Sequence, residues 1–422
     1  MKIIIIGAGL SGLCTAIALR KYINPPPDIE IYCKPDEESF NPNETPSDPA
    51  NRRRNLGAGL GLQSNGLRVL GDLDPKLKDK VYASGFPCTH FKWKTSGNVL
   101  LSREYVDVLP ISRPLLIDCL MESLPDKMVK YKVVKRVVAR DGERPVVQFA
   151  DGTPDKVADL VVGADGIRSV VRQGLFGDDK RCKPSYLGLC GVGGVLDIRL
   201  PQHLLDDASM LFFMGSTGSF GYTGLTQADK NKLLYWSIYE TDLPERGKKF
   251  DHDLLLKQLR ERHNGWADPL IGKCLAKAEL DNIYPIFVMP ELPHWGQNGC
   301  VLVGDAAHAL SPRSGQGASQ GFEDGEVLAL LLAANLRECE VGEAVEKSIA
   351  DFYNVRHARV DKIRIKAMAW KDPKMPMPWW KTYLLYAFLF VYVKVMNLMS
   401  LFQRVDDWDA KAEVEKYLSK GE

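Results

Sequence analysis

The sequence lacks an excess of charge of either sign: 55 Lys and Arg residues stand against 54 Asp and Glu residues, for a net charge of +1. A protein that binds nucleic acid through its bulk charge would show a basic excess, so the composition argues against that class. The nine cysteines form no CxxC pair and no zinc-like Cys/His spacing, so no metal site is predicted. Their odd number in a chain of 422 residues disfavours a disulfide framework and indicates a reducing compartment.

The sequence also lacks a recognisable secretory leader, internal repeats and low-complexity tracts. A strand is predicted from Lys2 to Ile6 and runs directly into glycine, so no charged segment, apolar segment and cleavage site precede it. We therefore expect an intracellular protein, cytoplasmic or membrane-associated, that is not secreted.

The first motif that is present is a glycine turn between a predicted strand and a predicted helix. Four consecutive isoleucines at 3–6 are typical of a strand buried on both faces, and a helical apolar stripe begins at Leu13. Between them, Gly7 permits a tight turn, Gly9 lets a pyrophosphate approach the backbone, and Gly12 lets the helix pack closely on the strand. A plain tight turn is the structural alternative, but the strand–turn–helix context predicts a dinucleotide site at the helix N-terminus.

One element of the dinucleotide pattern is missing. An acidic residue is expected at the end of the second strand, where it holds a ribose hydroxyl, but Cys33 and Lys34 stand there. The nearest acids are Asp36 and Glu37. The three arginines at 52–54 offer another source of phosphate contacts, although a solvated run of charge explains them equally well. Recognition of the ribose therefore stays open.

Two later segments repeat the strand-to-glycine pattern. Within residues 159–172, a predicted strand ends at Gly163 and Asp165. Within residues 302–308, another ends at Gly304-Asp305. An aspartate in such a place can accept a hydrogen bond from a sugar or ribityl hydroxyl. The turn at 312–317 ends in Gly-Gln-Gly and opens a predicted helix, so it aims backbone N–H groups at an acceptor. Chance does not readily produce three such motifs in this order.

These motifs resemble those of the single-component (class A) flavin monooxygenases, the family of p-hydroxybenzoate, salicylate and kynurenine hydroxylases, over about residues 1–370. The register looks closest to fungal secondary-metabolite members, although Ser319 stands where many members have Asn. The resemblance implies FAD as cofactor, NADPH or NADH and O₂ as co-substrates, and oxygen transfer from a flavin hydroperoxide. It implies cofactor contacts from Gly7, Gly9, Leu10, Ser11, Gly12, Lys34, Arg54, Gly59, Arg113, Asp165, Gly304, Asp305, Pro312, Gly315, Gln316, Gly317 and Ala318.

The predicted fold class is α/β: a Rossmann-type FAD-binding domain, like that of p-hydroxybenzoate hydroxylase, with an inserted, mostly antiparallel β-sheet domain for the substrate. Predicted parallel strands at 2–6, 160–163 and 300–303 enclose the antiparallel segments. Helices are predicted at 55–73 and 113–124. The predicted domains are a discontinuous FAD-binding domain at 1–75, 111–175 and 285–370, a substrate domain at 76–110 and 176–284, and a C-terminal helical segment at 371–422.

The predicted substrate domain supplies candidates for the enclosed, apolar cavity that oxygen transfer requires. Its strands carry the aromatic residues Phe212, Phe213, Phe220, Tyr222, Tyr235 and Trp236. Core packing is the structural alternative for each of them. Tyr222 and Trp236 are predicted to face the site and are the catalytic candidates, although the flavin itself carries the chemistry. For His308, packing or capping is favoured over catalysis, and no base or cation is predicted for a phenolic substrate.

We therefore predict an FAD- and NAD(P)H-dependent monooxygenase that inserts one oxygen atom from O₂ into an aromatic or apolar electron-rich small molecule, in secondary metabolism. One alternative is a flavin oxidase or reductase that uses the same site. Another is a non-catalytic binding protein like the Rab GDP-dissociation inhibitors, which the segment from Gly304 to Gly317 argues against. The absence of CxxxxC and of a second GxGxxG argues against a disulfide reductase.

An apolar stretch at residues 379–402 is rich in Trp and Tyr. Lys381 and Lys394 bracket only twelve uncharged residues, fewer than the ~20 that span a bilayer. Because apolar residues occur on nearly every side of the predicted helix, something must cover it. Packing on its own domains or on a partner subunit of a homodimer is favoured. Peripheral contact with a membrane interface and a bilayer crossing are the alternatives.

Overall fold

The computed structural model describes residues 1–35, 59–244, 251–280, 283–369 and 407–420. Within these ranges the strands form a six-stranded, an eight-stranded and a three-stranded sheet. One apolar core surrounds the six-stranded sheet and a second surrounds the eight-stranded sheet.

The six-stranded sheet is parallel except at one edge, where its first two strands are antiparallel. In spatial order it contains β16 (Gly296–Gln297), β17 (Cys300–Leu302), β10 (Leu160–Gly163), β1 (Lys2–Ile6), β2 (Asp28–Cys33) and β6 (Val129–Tyr131). The three predicted parallel strands are therefore neighbours, with Ile3 opposite Leu160 and Val161 opposite Cys300. This arrangement confirms the predicted α/β class.

The eight-stranded sheet is antiparallel except for one pair of neighbouring strands, Cys88–Thr95 and Ser209–Gly215, which run parallel. In spatial order it contains β15 (Tyr284–Val288), β11 (Ser185–Asp197), β14 (Lys232–Glu240), β13 (Gly218–Gly224), β12 (Ser209–Gly215), β4 (Cys88–Thr95), β5 (Leu100–Ile111) and β3 (Leu60–Gln63). β3 belongs by sequence to the predicted FAD-binding domain yet completes this sheet. The small sheet contains β7 (Val134–Val138), β8 (Val146–Phe149) and β9 (Lys156–Val157).

The helices surround these sheets. They are α1 (Leu10–Tyr22), α2 (Ser64–Leu73), α3 (Pro75–Ser84), α4 (Arg113–Met121), α5 (Val170–Phe176), α6 (Gln202–Asp206), α7 (His252–Arg262), α8 (Pro269–Lys277), α9 (Asp305–His308), α10 (Gly317–Asn335), α11 (Val341–Ala369) and α12 (Ala410–Leu418). Short 3-10 turns cover Gly166–Arg168, Lys180–Cys182 and Pro312–Ser314. The predicted helix at 113–124 is confirmed and ends at Met121.

Some segments differ from the sequence-based expectation. Residues 60–63, inside the predicted helix at 55–73, form β3, and α2 begins only at Ser64. Helices α3, α7 and α8 fall largely within the predicted, mostly antiparallel substrate domain at 76–110 and 176–284. Each begins at an aspartate that accepts a hydrogen bond from the first turn: Asp74, Asp251 and Asp268. The Asp-Pro starts of α3 and α8 are helix-start signals that the sequence does contain.

The apolar stretch at 379–402 lies outside the described residues. Within the part of the chain that the structure describes, no helix is both long and apolar enough to cross a membrane. How that stretch is covered stays a prediction, as do the domain boundaries.

Candidate functional site

The glycine turn after β1 has the geometry that its sequence predicts. Gly7 adopts a positive φ of 108°, and a Cβ there would lie 2.2 Å from the Ala164 carbonyl oxygen. A Cβ on Gly12 would lie 2.0 Å from the Gly7 carbonyl oxygen, so α1 packs directly on the turn. Gly9 faces open space, with no atom within 4 Å of an added Cβ. The N-terminus of α1 therefore presents backbone that a pyrophosphate can approach.

Ser11 brings the first and third motifs together, while Leu10 beside it is buried. A Cβ on Gly304, which follows β17, would lie 2.2 Å from Ser11 Oγ. A Cβ on Gly321, in α10, would lie 2.1 Å from the same atom. Ser11 of α1 therefore meets α10 and the turn after β17 so closely that a side chain at either glycine would force a shift.

Asp165, in the second motif, uses one of its two carboxylate oxygens in hydrogen bonds within the protein. Its Oδ2 accepts hydrogen bonds from the backbone N–H groups of Val170 at 2.7 Å and Val171 at 3.4 Å, at the start of α5. Within the described residues, its buried Oδ1 has no hydrogen-bond partner. Burial raises the pKa of Asp165, and the bonds at the start of α5 offset part of that rise. The carboxylate thus orders α5 and keeps one acceptor for a further donor.

Asp305, in the third motif, is the first residue of α9. Protein surrounds its carboxyl group, and this burial raises its pKa, while nearby His308 and Arg113 act in the opposite direction. The residue nevertheless keeps solvent contact on one side, as does Arg113 at the start of α4. A carboxylate and a guanidinium group near enough to act on each other are thus both open to solvent, and their contact with a cofactor stays a prediction.

The turn from Pro312 to Gly317 presents its backbone outwards and one side chain inwards. Gly315 adopts a left-handed φ of 61° and its carbonyl oxygen accepts from Gln63 Nε2 at 3.4 Å. Gly317 begins α10 and faces open space, and Pro312 is also exposed. Gln316, by contrast, is 3% exposed. Its side chain points into the protein, so only its backbone can meet a ligand; Ala318 beside it is half-buried.

Beneath this turn lies a buried ionic network, which we define as Glu323, Asp324, Arg356, Arg359 and His308. Arg356 is fully buried and donates to Glu323 Oε2 at 2.5 Å and to Asp324 Oδ1 at 2.9 Å. Arg359 donates to both oxygens of Glu323 at 2.7 Å. Because paired arginine–carboxylate contacts are directional as well as charged, the network is held in one geometry.

The buried ionic network reaches both backbone segments of the third motif. Asp324 Oδ2 accepts from the Gly304 backbone N–H at 2.7 Å and lies 2.6 Å from His308 Nε2. Glu323 Oε1 accepts from Asn65 Nδ2 at 2.6 Å, and the same amide nitrogen donates to Gln316 Oε1 at 3.0 Å. Burial would raise the pKa of Asp324, but His308 and Arg356 outweigh it and hold the pKa at about 2.

Sequence reasoning missed Arg356, although a signal exists. Along α11, buried positions recur at helical spacing, and Arg356 occupies one of them: Val345, Ile349, Phe352, Arg356, Val360 and Ile363. A charged residue inside such an apolar stripe requires a buried partner of opposite charge. The adjacent acids Glu323 and Asp324 in α10 are that partner.

The structure separates the two predicted substrate-facing residues. Tyr222 lies opposite Tyr235 across β13 and β14, whereas Trp236 lies opposite Gly221, so Tyr222 and Trp236 occupy opposite faces of the sheet. The Tyr222 hydroxyl donates to the carboxylate of Asp268 at 3.3 Å, under α8. Burial raises the pKa of Tyr222. The prediction that both residues line one cavity is therefore wrong, because alternation within strands does not give the register between them.

The Trp236 side of the sheet carries what we call the aromatic face. One cross-strand row on it contains Trp236, Gly221, Phe212, Trp93 and Ser102. The second row, two residues along each strand, contains Leu234, Thr223, Met210, Phe91 and Glu104. Phe212 is at its centre, stacked on Trp93 at 4.4 Å and edge-on to Phe91 and Trp236 at 5.2 and 5.4 Å between ring centroids.

The aromatic face lies toward the strand that borders the third motif. A Cβ on Gly59 would lie 3.0 Å from Leu234 Cδ2, and one on Gly61 would lie 3.9 Å from Met210 Cε. β3 then leads to Gln63, which bonds to the Gly315 carbonyl oxygen. The sheet therefore curves so that its aromatic face and the Gly315 turn border the same side of β3.

Glu104 is the charged residue of the aromatic face. Burial raises its pKa, while Ser102 and Lys366 lower it in part. Ser102 Oγ donates to Glu104 Oε1 at 3.3 Å. The sequence supplied no base for this face, because the position of Glu104 emerges only from the pairing of β4 with β5.

The adenosine end of the predicted site is less fully described. Lys34 lies exposed at the end of β2, and Arg54 lies outside the described residues. The acid that β2 does carry, Glu30, accepts from Lys130 at 2.6 Å, from Lys156 at 3.0 Å and from Tyr32. Glu30 therefore has a structural role in the strand, and the missing ribose acid is not replaced by it.

The residues present fit a dinucleotide cofactor. Among the described residues, three features remain open toward a ligand: the backbone at Gly9 and Gly317, the unpartnered Oδ1 of Asp165, and the exposed side chains of Asp305 and Arg113. Backbone N–H groups at two helix N-termini suit phosphate and other acceptors, and the acids suit sugar hydroxyls.

Comparison with known proteins agrees with this geometry. The family model described as "FAD binding domain" matches residues 87–364. Salicylate hydroxylase of Pseudomonas putida is 25% identical over 80% of this chain and 78% of that protein. 6-Hydroxynicotinate 3-monooxygenase of Pseudomonas fluorescens is 27% identical over 78% and 82%. Klebsiella pneumoniae HpxO, solved with FAD and uric acid, shares the fold with a TM-score of 0.74 at 22% identity, covering 94% of this chain and 95% of that one.

The fold and the site thus define a flavoprotein oxygenase. The chain belongs to the FAD binding domain family, whose model covers well over half of its 422 residues. It is an FAD-dependent monooxygenase of class A, as its sequence resemblance implied.

Proposed function

We propose that the enzyme takes electrons from NADPH or NADH and inserts one oxygen atom from O₂ into an aromatic or apolar, electron-rich small molecule, in secondary metabolism. The observation that carries the proposal is the aromatic face, which borders the same side of β3 as the Gly315 turn. Relatives named for aromatic substrates, salicylate and 6-hydroxynicotinate, support it. Two relatives named as FAD-dependent monooxygenases, pigN of Monascus ruber and penM of Penicillium crustosum, support the reaction class.

FAD, when bound, supplies the electron transfer and the activation of O₂. The chain supplies the surroundings. The N-terminus of α10 at Gly317 presents backbone N–H groups and a partial positive charge, which stabilise negative charge on a reduced cofactor. The half-buried rings of Phe212, Trp93 and Trp236 exclude water and pack against a planar substrate.

Glu104 gives the aromatic face a preference. A carboxyl group on an apolar surface accepts a hydrogen bond or a proton from a hydroxyl or amino group. In its ionised form it repels a substrate carboxylate at the same position. We therefore propose a substrate whose ring carries a neutral hydrogen-bond donor on the Glu104 side.

Product analysis tests the reaction class. The full chain is loaded with FAD, and NADPH or NADH oxidation and O₂ uptake are followed with phenol, indole and salicylate as probes. We expect O₂-dependent oxidation that a probe stimulates, with a product that gains one oxygen atom. A product that only loses two hydrogen atoms would make the enzyme an oxidase or reductase. A colourless protein after loading would overturn the flavin assignment itself.

A matched pair of variants tests the aromatic face. Phe212→Leu changes the centre of that face, whereas Phe213→Leu changes the opposite, fully buried face. We expect Phe212→Leu to raise the KM of a stimulating probe by about tenfold, equivalent to ~1.4 kcal/mol of lost packing, with FAD affinity unchanged. Phe213→Leu should lower thermal stability and leave KM unchanged. The reverse pattern would place the substrate elsewhere.

A further inference from the structure

Residues 407–420 return the chain to the helices around the six-stranded sheet. Ala410 and Val414 of α12 are buried in that core. Lys411 pairs with Asp72, at the end of α2, at 3.1 Å. This C-terminal element is therefore docked on the part of the molecule that carries the cofactor motifs.

Trp408, at the start of this element, covers the buried ionic network. Its ring centroid lies 4.9 Å from the guanidinium carbon of Arg356 and 4.6 Å from that of Arg359. Its carbonyl oxygen accepts from Arg68 Nη1 at 2.7 Å, and Arg68 lies in α2, one turn beyond Asn65. The indole thus separates two arginines from solvent and is fixed to the helix that contacts Gln316.

The arginines under Trp408 are linked to the cofactor turn by a chain of hydrogen bonds. Arg356 and Arg359 hold Glu323, and Glu323 holds the Asn65 amide, which in turn bonds to Gln316. Three hydrogen-bonded steps therefore connect the arginines that Trp408 covers to the Gly-Gln-Gly turn. Water that reached the guanidinium groups would compete for these bonds and raise the local dielectric constant, which weakens each ion pair.

We propose that Trp408 is a positioning residue for FAD, so that docking of α12 and binding of FAD are coupled. The turn keeps its binding geometry only while Glu323 keeps its arginines, and the arginines keep that arrangement only while Trp408 covers them. Coupling of this kind is reciprocal: if docked α12 strengthens FAD binding, bound FAD must strengthen the docking of α12 by the same factor.

Hydrogen exchange on the unaltered full chain tests whether bound FAD strengthens the docking of α12. Amide exchange is measured for residues 410–418 and for α7, which lies against the other core, with and without FAD. We expect FAD to slow exchange in 410–418 by about tenfold, within the usual range of coupling, with a smaller change in α7. Equal changes in both helices indicate general stabilisation and overturn the proposal, as does no change in 410–418.

The FAD affinity of matched variants tests whether docked α12, through Trp408, strengthens FAD binding. Trp408→Ala uncovers the arginines and should raise the FAD dissociation constant by about tenfold, whereas Trp408→Phe keeps an aromatic cover and should stay within about twofold. Tyr417→Phe is the control, because it removes hydrogen bonds of the same element to Asp351 and Asn354, away from the network. If Tyr417→Phe weakens FAD binding as much as Trp408→Ala, Trp408 has no specific role. Should Trp408→Ala not fold, Trp408→Leu provides the uncovered state, and the exchange experiment decides independently.

Discussion

The two sides of the site are built by different physical means. Below the Gly315 turn, the buried ionic network is charged, directional and bonded to named backbone atoms. The aromatic face, which borders the same side of β3, is mainly apolar, and its contacts are non-directional ring packing. Charged hydrogen bonds fix one geometry, whereas apolar packing tolerates exchange of side chains of similar volume. The cofactor side is thus suited to one invariant ligand, and the substrate side can be altered without disturbing it.

Removing Arg356 is the largest test of this difference. Arg356→Met leaves Glu323 and Asp324 buried with reduced compensation, so we expect the free energy of unfolding to fall by about 3–5 kcal/mol, together with loss of FAD affinity. Arg364→Met, in the same helix, is the control, because Arg364 pairs at the surface with Glu291 and Asp361. The control should cost less than about 1 kcal/mol in urea denaturation. Equal effects would mean that the network is not special.

The pH dependence of stability offers the next largest effect. Glu326 lies beside the network in α10, and Tyr22 donates to it at 2.7 Å. Burial raises the pKa of Glu326 from 4.5 to about 7. The folded state therefore holds a proton that the unfolded chain has released, and the stability that is complete below about pH 4.5 is lost as the pH rises through 7.

Glu326→Gln should remove this pH dependence. The free energy of unfolding of the variant, measured by urea denaturation, should match that of the parent near pH 4 and exceed it near pH 8 by up to about 3 kcal/mol. Glu413→Gln, on the surface of α12, should leave the pH dependence unchanged. A parent protein that keeps constant stability across this range would show that Glu326 is ionised in the folded state.

The crossing of α1 and α10 is a part of the cofactor side that depends on close packing and not on charge. It therefore tests whether shape alone also matters on that side. Gly321→Ala places a Cβ 2.1 Å from Ser11 Oγ, and we expect unfolding to require about 2 kcal/mol less. Adding Ser11→Gly should restore part of the loss. Gly342→Ala in α11, where an added Cβ meets no atom within 4 Å, should be neutral or stabilising. Thermal melts of the four proteins decide, and a Gly321→Ala protein as stable as the parent would contradict the close crossing.

Glu104→Gln gives the smallest expected effect and concerns the aromatic face alone. Because burial raises the pKa of Glu104, its carboxyl group stays neutral to higher pH than an ordinary glutamate. Glutamine imitates the neutral form, so phenol affinity should match the parent at low pH and differ by about fivefold at pH 8, the value of one hydrogen bond. Flavin absorbance reports the binding. Asp107→Asn, exposed on the same strand, is the control, and parallel curves for parent and Glu104→Gln would exclude a role in binding.

The sequence predicted best what depends on local chain geometry. The strand at 2–6, the turn at Gly7 and the helix after Gly317 follow from glycine spacing and apolar runs, and the structure has all three. Contacts between distant segments were not readable. Arg356 meets acids 32 and 33 residues away, and the opposite faces of Tyr222 and Trp236 depend on the register of two strands. Alternation fixes faces within a strand, but only the assembled sheet fixes them between strands.

The six-stranded sheet joins strands that are synthesised at widely different times. β1 meets β2 soon after synthesis, but its other neighbour, β10, comes much later, since Lys2 bonds to Asp159, 157 residues away. Until then the isoleucine strand keeps an open edge, which favours aggregation. Strands β11 to β14, in contrast, follow one another closely and pair as neighbours or near neighbours. These strands are made after β10, so they add no delay to the pairing of β1. The yield of active enzyme in a cell therefore depends on protection of the first strand until β10 is synthesised.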